Sequence, residues 1–324
     1  MTIRNFNYIR EIVLYSCIAA RYIFHNIMYS IFIILLYIME PTERKKIVVD
    51  GFMFYNELEL LSYRLKILND VVDYFVIVEC TRTFVGNEKP LIFHENKADY
   101  AEYSHKIIHI IVDDIPFVPP DIGAGQQWKN EEWQRNAIAT GFAKVAHELH
   151  DDDILMVTDL DEIPDPRTIQ RIKNGEIPLE GISILHMDLY YYNLHVLYTE
   201  KCEWPKILRY RKYKELNTTC SLIRGITQCP RIVEGAGWHL SYFGDYEFMR
   251  NKTENWSHQE LNNSYNNDLN NIADRVKRGV DLYNRPWVRF TRIKLSENKY
   301  LPVDYDKYLT KYYRVDGTDA TTPA

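Results

Sequence analysis

Apolar runs alternate with amphipathic stretches through the first half of the chain, and that alternation predicts its elements. After a charged junction, "ERKKIVVDGFMFYN" (43–56) contains a buried strand, and "VVDYFVIVEC", "HKIIHIIVDD" (105–114) and "DILMVTDLDEIP" supply three more. Between the first two strands, "NELELLSYRLKILND" sets Leu58, Leu61, Leu65 and Leu68 on one helical face. A polar turn at "RTFVGNEKP" and a Pro/Gly loop, "IPFVPPDIGAG", separate the next elements. Residues 127–149 predict a helix with Trp128, Ile138, Phe142, Val145 and Leu149 facing inward. Beyond Asp161 the pattern loosens. "GISILHMDLYYYNLH" (181–195) predicts one long strand, shorter strands follow to about Phe243, and Tyr246 to Gly279 is helical in character. "DGTDATTPA" closes the chain as a polar tail, and there is no internal repeat.

Strands apolar on both faces, alternating with helices, predict an α/β fold with a mostly parallel central sheet and helices on both faces. Ligands in such sheets bind beyond the carboxyl ends of the strands. The acids expected there are Asp50, Glu79, Asp113, Asp114, Asp159 and Asp161. No Gly-x-Gly-x-x-Gly and no Walker lysine loop occurs, which argues against dinucleotide oxidoreductases and P-loop enzymes.

Composition narrows the partners. A net charge of -6 over 324 residues leaves no overall basic field for nucleic acid, so none is expected as a partner. Aromatic residues make up 14%, with 25 Tyr, a content that suits packing and flat polar ligands such as sugars alike. The five cysteines form no Cys-x-x-Cys pair, although Cys202, Cys220 and Cys229 are near enough in sequence for one disulfide in an oxidising compartment. The chain is apolar from Ile12 to Met39, and Tyr22 to Met39 is just long enough to span a bilayer as a helix. This predicts a single-pass, type II signal anchor in residues 1–45, followed by a globular domain in 46–300 and a C-terminal extension in 301–324. Asn217, Asn251, Asn255 and Asn262 stand in glycosylation triplets usable if the domain is lumenal.

The chemistry concentrates at Asp159-Leu160-Asp161. Two carboxylates delivered into one small space at a strand end repel one another unless a cation joins them, and a divalent metal is the natural third party. Oxygen ligands suit Mg²⁺ or Mn²⁺, and a metal held by few carboxylates keeps positions open for phosphate oxygens. That combination describes a nucleotide-sugar diphosphate site. The alternative is that the two acids cap the helix starting near Pro166.

The ordered set "FYNELELLSYRL", "FVIVECTRTFVGNEKPL", "DLDEIP" and "GAGWHLSYFG" resembles glycosyltransferase family 17 over roughly residues 47–290. The resemblance implies a GT-A-type nucleotide-diphospho-sugar transferase fold. It also implies an inverting, metal-dependent transfer of N-acetylglucosamine from UDP-N-acetylglucosamine to a mannose of an N-linked glycan. The partners are then a UDP-sugar donor and a glycan or glycoprotein acceptor, with Mn²⁺ or Mg²⁺ as cofactor.

Mapped onto this chain, the resemblance makes Asp159 and Asp161 the metal motif, with Asp161 the direct ligand and His239 a third one. His239 otherwise reads as a core histidine beside Trp238. Glu79, Arg82, Arg135 and Asp159 are the donor-binding candidates, although Glu79 also reads as a strand-end cap and Arg135 as a surface ion pair. Inverting transfer needs a general base. The candidates are Glu162, Asp188, Glu234, Asp245 and Glu247, with Asp245 preferred and Glu162 next. Trp238 and Tyr242 are the candidate acceptor-stacking residues. Two competing readings are a metal-dependent phosphoester hydrolase and a non-catalytic glycan-binding module on the same fold.

Overall fold

The computed structural model describes residues 21–32 and 44–312. The chain divides into Met1–Lys45 and Lys46–Ala324. In the first unit, residues 21–32 are helical and exposed throughout. Among the described residues no helix is long and apolar enough to cross a membrane. The rest of the expected anchor, and the tail past Tyr312, lie outside the described residues.

The second unit is built on a seven-stranded sheet. Its centre is β1 (Val48–Phe54), flanked in parallel by β2 (Tyr74–Cys80) and β4 (Ile154–Asp159), with β3 (Ile107–Val112) parallel beyond β2. On the other side come β9 (Lys206–Arg209), β6 (Ile182–Leu185) and β10 (Arg231–Val233). Only β9 runs against its neighbours, so the sheet is mixed and largely parallel. Both faces are covered, which is why the central strands carry unbroken apolar runs. On one face the helix Leu58–Leu68 buries Leu61, Leu65 and Leu68 against Phe52, Phe75 and Ile77. On the other, the helix Ile138–Val145 buries Ile138, Phe142 and Val145 against Val49, Val76 and Val157. Each such fully buried side chain contributes about 1.5–3 kcal/mol of burial free energy. Gly141 lets that helix lie close to β2: a Cβ there would fall 2.1 Å from Val76 Cγ1.

A second, five-stranded sheet comprises β12 (Phe290–Arg292), β8 (Val196–Tyr198), β7 (Asp188–Tyr191), β11 (Gly237–Ser241) and β5 (Glu162–Pro164), in that order. Two sequence expectations change because of it. The stretch 181–195 is not one strand: it leaves the main sheet after Leu185 and enters the second at Asp188. "DILMVTDLDEIP" likewise ends as β4 at Asp159 and resumes as β5 at Glu162, antiparallel to β11. An apolar strand run carries no mark of a change of sheet, because both sheets bury it.

Three smaller expectations also shift. Residues 127–149 form two helices, Gln126–Asn136 and Ile138–Val145, joined at Ala137, and Trp128 is half-buried and faces a cavity. Asp50 lies in the interior of β1, where Arg64 Nε and Nη2 donate to it at 2.9 and 2.7 Å. Residues 246–279 split into the helices Tyr246–Asn255 and Leu269–Arg278. Past residue 300 the chain packs back on the domain, with Leu309 buried and Tyr63 Oη donating to the Val303 carbonyl at 2.7 Å.

Candidate active site

A cavity of about 1220 Å³ opens beyond the carboxyl ends of β1, β2 and β4, where the second sheet faces the first. Parallel sheets place ligands at this end. Its wall carries Asp159, Asp161, His239, Arg135, Arg224 and Lys252.

The acidic turn is built by groups beneath it. Arg64, fully buried, donates Nη1 to the carbonyls of Asp159 (2.9 Å), Leu160 (3.0 Å) and Glu162 (2.7 Å). One guanidinium thus fixes the backbone between β4 and β5. The Glu162 carboxylate accepts the Asp159 N–H at 2.8 Å and two bonds from Arg224, each 2.6 Å. The antiparallel register of β5 on β11 sets His239 opposite Glu162 and Trp238 opposite Ile163. That pairing unites the two distant segments "DLDEIP" and "GAGWHLS". Gly237 permits it, since its φ is +145° and a Cβ would meet the Ile163 carbonyl oxygen at 2.2 Å.

Asp161 Oδ2 lies 3.0 Å from Lys252 Nζ and 3.5 Å from His239 Nε2. Burial opposes ionisation of Asp161, but Lys252 and His239 outweigh it and hold the carboxyl well below the usual carboxylate range. Burial likewise disfavours the His239 cation, and Asp161 reverses this, raising the imidazole well above its ordinary value. Asp159 receives Arg224 Nη2 at 2.7 Å and Arg135 Nη2 at 3.4 Å. Against burial, those two guanidinium groups keep its carboxyl low. Arg224 gains in turn: burial works against its charge, while Asp159 and Glu162 raise it.

In kind, two carboxylates and an imidazole suit a divalent cation, and Asp159, Asp161 and His239 all line the cavity. Their ligand atoms do not converge within 4.8 Å of one another, and Arg224, Arg135 and Lys252 already supply the positive charge that two close acids require. His239 Nδ1 is buried without a hydrogen-bond partner. Among the described residues, one group of three ligand atoms lies within 4.8 Å of one another: Glu162, Cys202 and His239. That trio is a poor cation site, because Glu162 is bound to Arg224 and the Cys202 thiol is pushed up by burial and by Glu162.

Other expected site residues land in different places. Arg82 reaches the cavity wall while pairing with Glu88 at 2.8 Å, and Arg135 reaches it while pairing with Glu131 at 2.6 Å. Tyr242 also lines the cavity, its hydroxyl 2.7 Å from that of Tyr283. Glu79 does not line it: fully buried, it accepts the N–H of Phe93 (2.8 Å) and of His94 (3.2 Å) at the start of the helix Ile92–Asn96. Trp238 has no exposed surface and donates Nε1 to the Tyr300 carbonyl at 3.1 Å, so it is core and not a sugar platform.

None of the expected bases lines the cavity. Glu162 is buried and saturated by Arg224, and Asp245 is the exposed N-cap of the helix Tyr246–Asn255, accepting the Phe248 N–H at 2.7 Å. Asp188 pairs with Lys201, Glu234 with His186, and Glu247 with Arg250. Arg224, Lys252 and Glu57 are cavity residues the sequence reading missed. No motif marks Arg224 or Lys252, whereas Glu57 stands within "FYNELELLSYRL", one of the stretches that carry the resemblance. Arg64 did carry a signal, because it falls on the same buried stripe as Leu60, Leu61 and Leu68, where a charge needs a buried partner.

No disulfide joins the described cysteines: Cys80, Cys202, Cys220 and Cys229 are all free. The bridge considered from sequence spacing is not formed.

Comparison with known proteins gives the family. A segment of 126 residues is 29% identical to the beta-1,4-mannosyl-glycoprotein 4-beta-N-acetylglucosaminyltransferase of Rattus norvegicus, and to the same degree to that of Homo sapiens. The segment is 38% of this chain and 23% of each relative, so the alignment spans less than a quarter of those proteins' length. A solved structure of the WbbM bifunctional glycosyltransferase in its apo form overlaps 57% of this chain and 35% of its own at a TM-score of 0.29 and 10% identity, too loosely to bear on the fold. The sequence pattern of glycosyltransferase family 17 matches residues 18–295. With that match over most of its length, the chain belongs to glycosyltransferase family 17.

Proposed function

We propose that this protein is an inverting transferase of GT-A type that moves N-acetylglucosamine from UDP-N-acetylglucosamine to a mannose hydroxyl of an N-linked glycan. The observation that carries the reading is the β5–β11 pairing, which brings Asp161 to His239 on the wall of a cavity lined by Arg135, Arg224 and Lys252. A volume of about 1220 Å³ accommodates a nucleotide sugar together with an acceptor sugar. Family membership and the names of the two mammalian relatives support the donor and acceptor chosen.

Asp159, Asp161 and His239 would hold Mn²⁺ or Mg²⁺, which when bound supplies positive charge to a leaving diphosphate. Arg135 and Arg224 present guanidinium groups suited to phosphate oxygens, and Lys252 adds a compact charge beside Asp161. Arg64 and Glu162 keep the turn in place beneath them. Tyr242 lines the cavity but is nearly buried in a cluster with Tyr191, Tyr192 and Tyr283, so it braces the wall of the acceptor side and does not offer a stacking platform. The apolar run from Ile12 to Met39 supports a membrane-anchored placement of the domain.

The test is Mn²⁺-dependent release of UDP from UDP-N-acetylglucosamine, with and without a mannose-terminated acceptor, for wild type and Asp161→Ala. Acceptor-dependent release abolished by the substitution supports the reading. Absence of turnover with every nucleotide sugar defeats it, and acceptor-independent phosphate release favours a hydrolase.

A further inference from the structure

Inverting transfer needs a carboxylate or imidazole that reaches the acceptor hydroxyl, and the carboxylates favoured from sequence all fall away from the cavity. Five carboxylates line it among the described residues: Glu57, Glu131, Glu132, Asp159 and Asp161. Asp159 and Asp161 belong to the metal motif. Glu131 is taken by Arg135 at 2.6 Å, and Glu132 is a half-exposed rim residue bonded to Lys129 at 2.9 Å. His258, the other imidazole on the wall, is engaged by Glu260 at 2.7 Å, and its ring packs on Trp128 and Trp256, away from the acidic turn.

Glu57 differs from all of these. It follows β1 at the start of the helix Leu58–Leu68, so a rigid strand end and helix N-terminus hold it. Oε2 accepts the Asn56 N–H at 3.1 Å, which fixes the carboxylate's orientation. Oε1 faces Lys252 Nζ at 3.9 Å, beyond hydrogen-bond range, and Lys252 in turn touches Asp161 at 3.0 Å. The side chain is only 9% exposed, yet it lines the cavity. It is an oriented carboxylate with one oxygen turned toward the acidic turn and not taken up by a close cation. The titratable groups that feel its charge include Lys252, Lys89 and Tyr55.

We propose that Glu57 is the general base of the transfer, an assignment that rests on the transferase reading above. The acceptor hydroxyl oxygen bonds to C1 of the donor sugar as the C1–O bond to the diphosphate breaks. The bonding pair leaves with UDP, and the hydroxyl proton passes to Glu57 Oε1 and then to water on product release. Glu57 is reached from the β1 side of the cavity, so the acceptor sugar lies between Glu57 and the donor, with Lys252 beside both.

The experiment uses the full chain with Mn²⁺, UDP-N-acetylglucosamine and a mannose-terminated acceptor. Donor binding is read by calorimetry, and transfer by product formation, for wild type, Glu57→Gln and Glu57→Ala. Glu57→Gln is expected to bind donor as wild type does and to lose kcat by a factor of roughly 10²–10⁴, the usual contribution of a positioned base. Azide needs no proton removed, so with Glu57→Ala it is expected to restore donor turnover, forming a C1–N bond and releasing UDP as the β-glycosyl azide.

Glu57→Gln transfer near the wild-type rate overturns the proposal. So does loss of donor binding in that variant, or loss of kcat that azide does not restore, because either gives Glu57 a structural role. If wild type itself neither binds the donor nor releases UDP, the transferase reading fails and the assignment falls with it.

Discussion

Lys252 Nζ sits 3.0 Å from Asp161 Oδ2 and supplies, from a helix 91 residues further along the chain, the positive charge that the acidic turn requires. Under the metal role proposed for Asp161, the same pair predicts a competition. A divalent cation there would satisfy the carboxylate by the same electrostatic means as the Lys252 ammonium, so removing the lysine should make the carboxylate more responsive to metal.

Lys252→Met is therefore expected to lower the melting temperature of the protein in chelator. Stripping one partner from a buried pair costs on the order of 3–5 kcal/mol, and His239 beside Asp161 places the loss at or below the low end. Added Mn²⁺ should then raise the melting temperature of the variant more than that of wild type. Equal responses to Mn²⁺ in the two proteins would remove Asp161 from the metal site.

Arg64 should prove more important for stability than any exposed charge. It is fully buried and joins Asp50 to three carbonyls of the acidic turn. Arg64→Met leaves Asp50 as a buried uncompensated charge and is expected to cost about 3–5 kcal/mol in urea unfolding. Replacing Asp50 as well, in Arg64→Met/Asp50→Leu, should recover part of that loss. Transfer activity should stay low in the double variant, because the turn still lacks its guanidinium clamp. A double variant as unstable as the single one would show that the uncompensated charge is not the cause.

Acid should weaken the metal-free protein in a defined direction. Asp159 and Asp161 are held below the ordinary carboxylate range by Arg224, Arg135, Lys252 and His239 in spite of burial. A depressed folded-state pKa contributes stability that is complete above the unfolded value, about 3.9, and is withdrawn as pH falls below it. Denaturation midpoints measured from neutral pH downward should drop steeply below about pH 4. Asp161→Asn should make that drop shallower. An unchanged slope would place the acid-sensitive groups elsewhere.

Trp238 and its neighbour in sequence His239 should separate cleanly. Trp238→Ala empties a fully buried site and breaks the bond to the Tyr300 carbonyl, a loss of about 3–5 kcal/mol. Acceptor KM of whatever fraction remains folded should not move. His239→Ala should instead spare much of the stability and abolish the Mn²⁺ response. A raised acceptor KM in a folded Trp238→Phe protein would return this residue to the acceptor site.

Much of the frame was legible because local pattern and burial agree. The apolar runs at Val48–Phe54, Tyr74–Cys80, Ile107–Val112 and Ile154–Asp159 are strands, and the Leu61/Leu65/Leu68 stripe is a helix face. Asp159 and Asp161 announced themselves by spacing and by the strand before them. The base was not legible. Asp245 looked poised for chemistry by its place after "GWHLSYFG", yet a carboxylate just before a helix is as readily its N-cap, and only the path of the chain decides between the two. Trp238 and Tyr242 stand four positions apart, on one face by alternation, but β11 ends at Ser241 and Tyr242 takes a left-handed φ of +59°, so only the folded path sets Tyr242 at the cavity and Trp238 in the core.

The sequence by itself determined the family, the order of the strands along the chain and the pair of acids at the end of β4, because each is a local pattern of residue types. Tertiary structure alone decided which charges meet. Arg64, Arg224, His239 and Lys252 lie 95, 65, 78 and 91 residues from their partners in the acidic turn, and no local pattern records contacts made by β5 pairing with β11, for His239, or by the packing of three separate helices, for the others. The physical reason is that a buried carboxylate selects its cation by proximity in the folded core, and proximity there follows strand register and helix packing rather than chain distance.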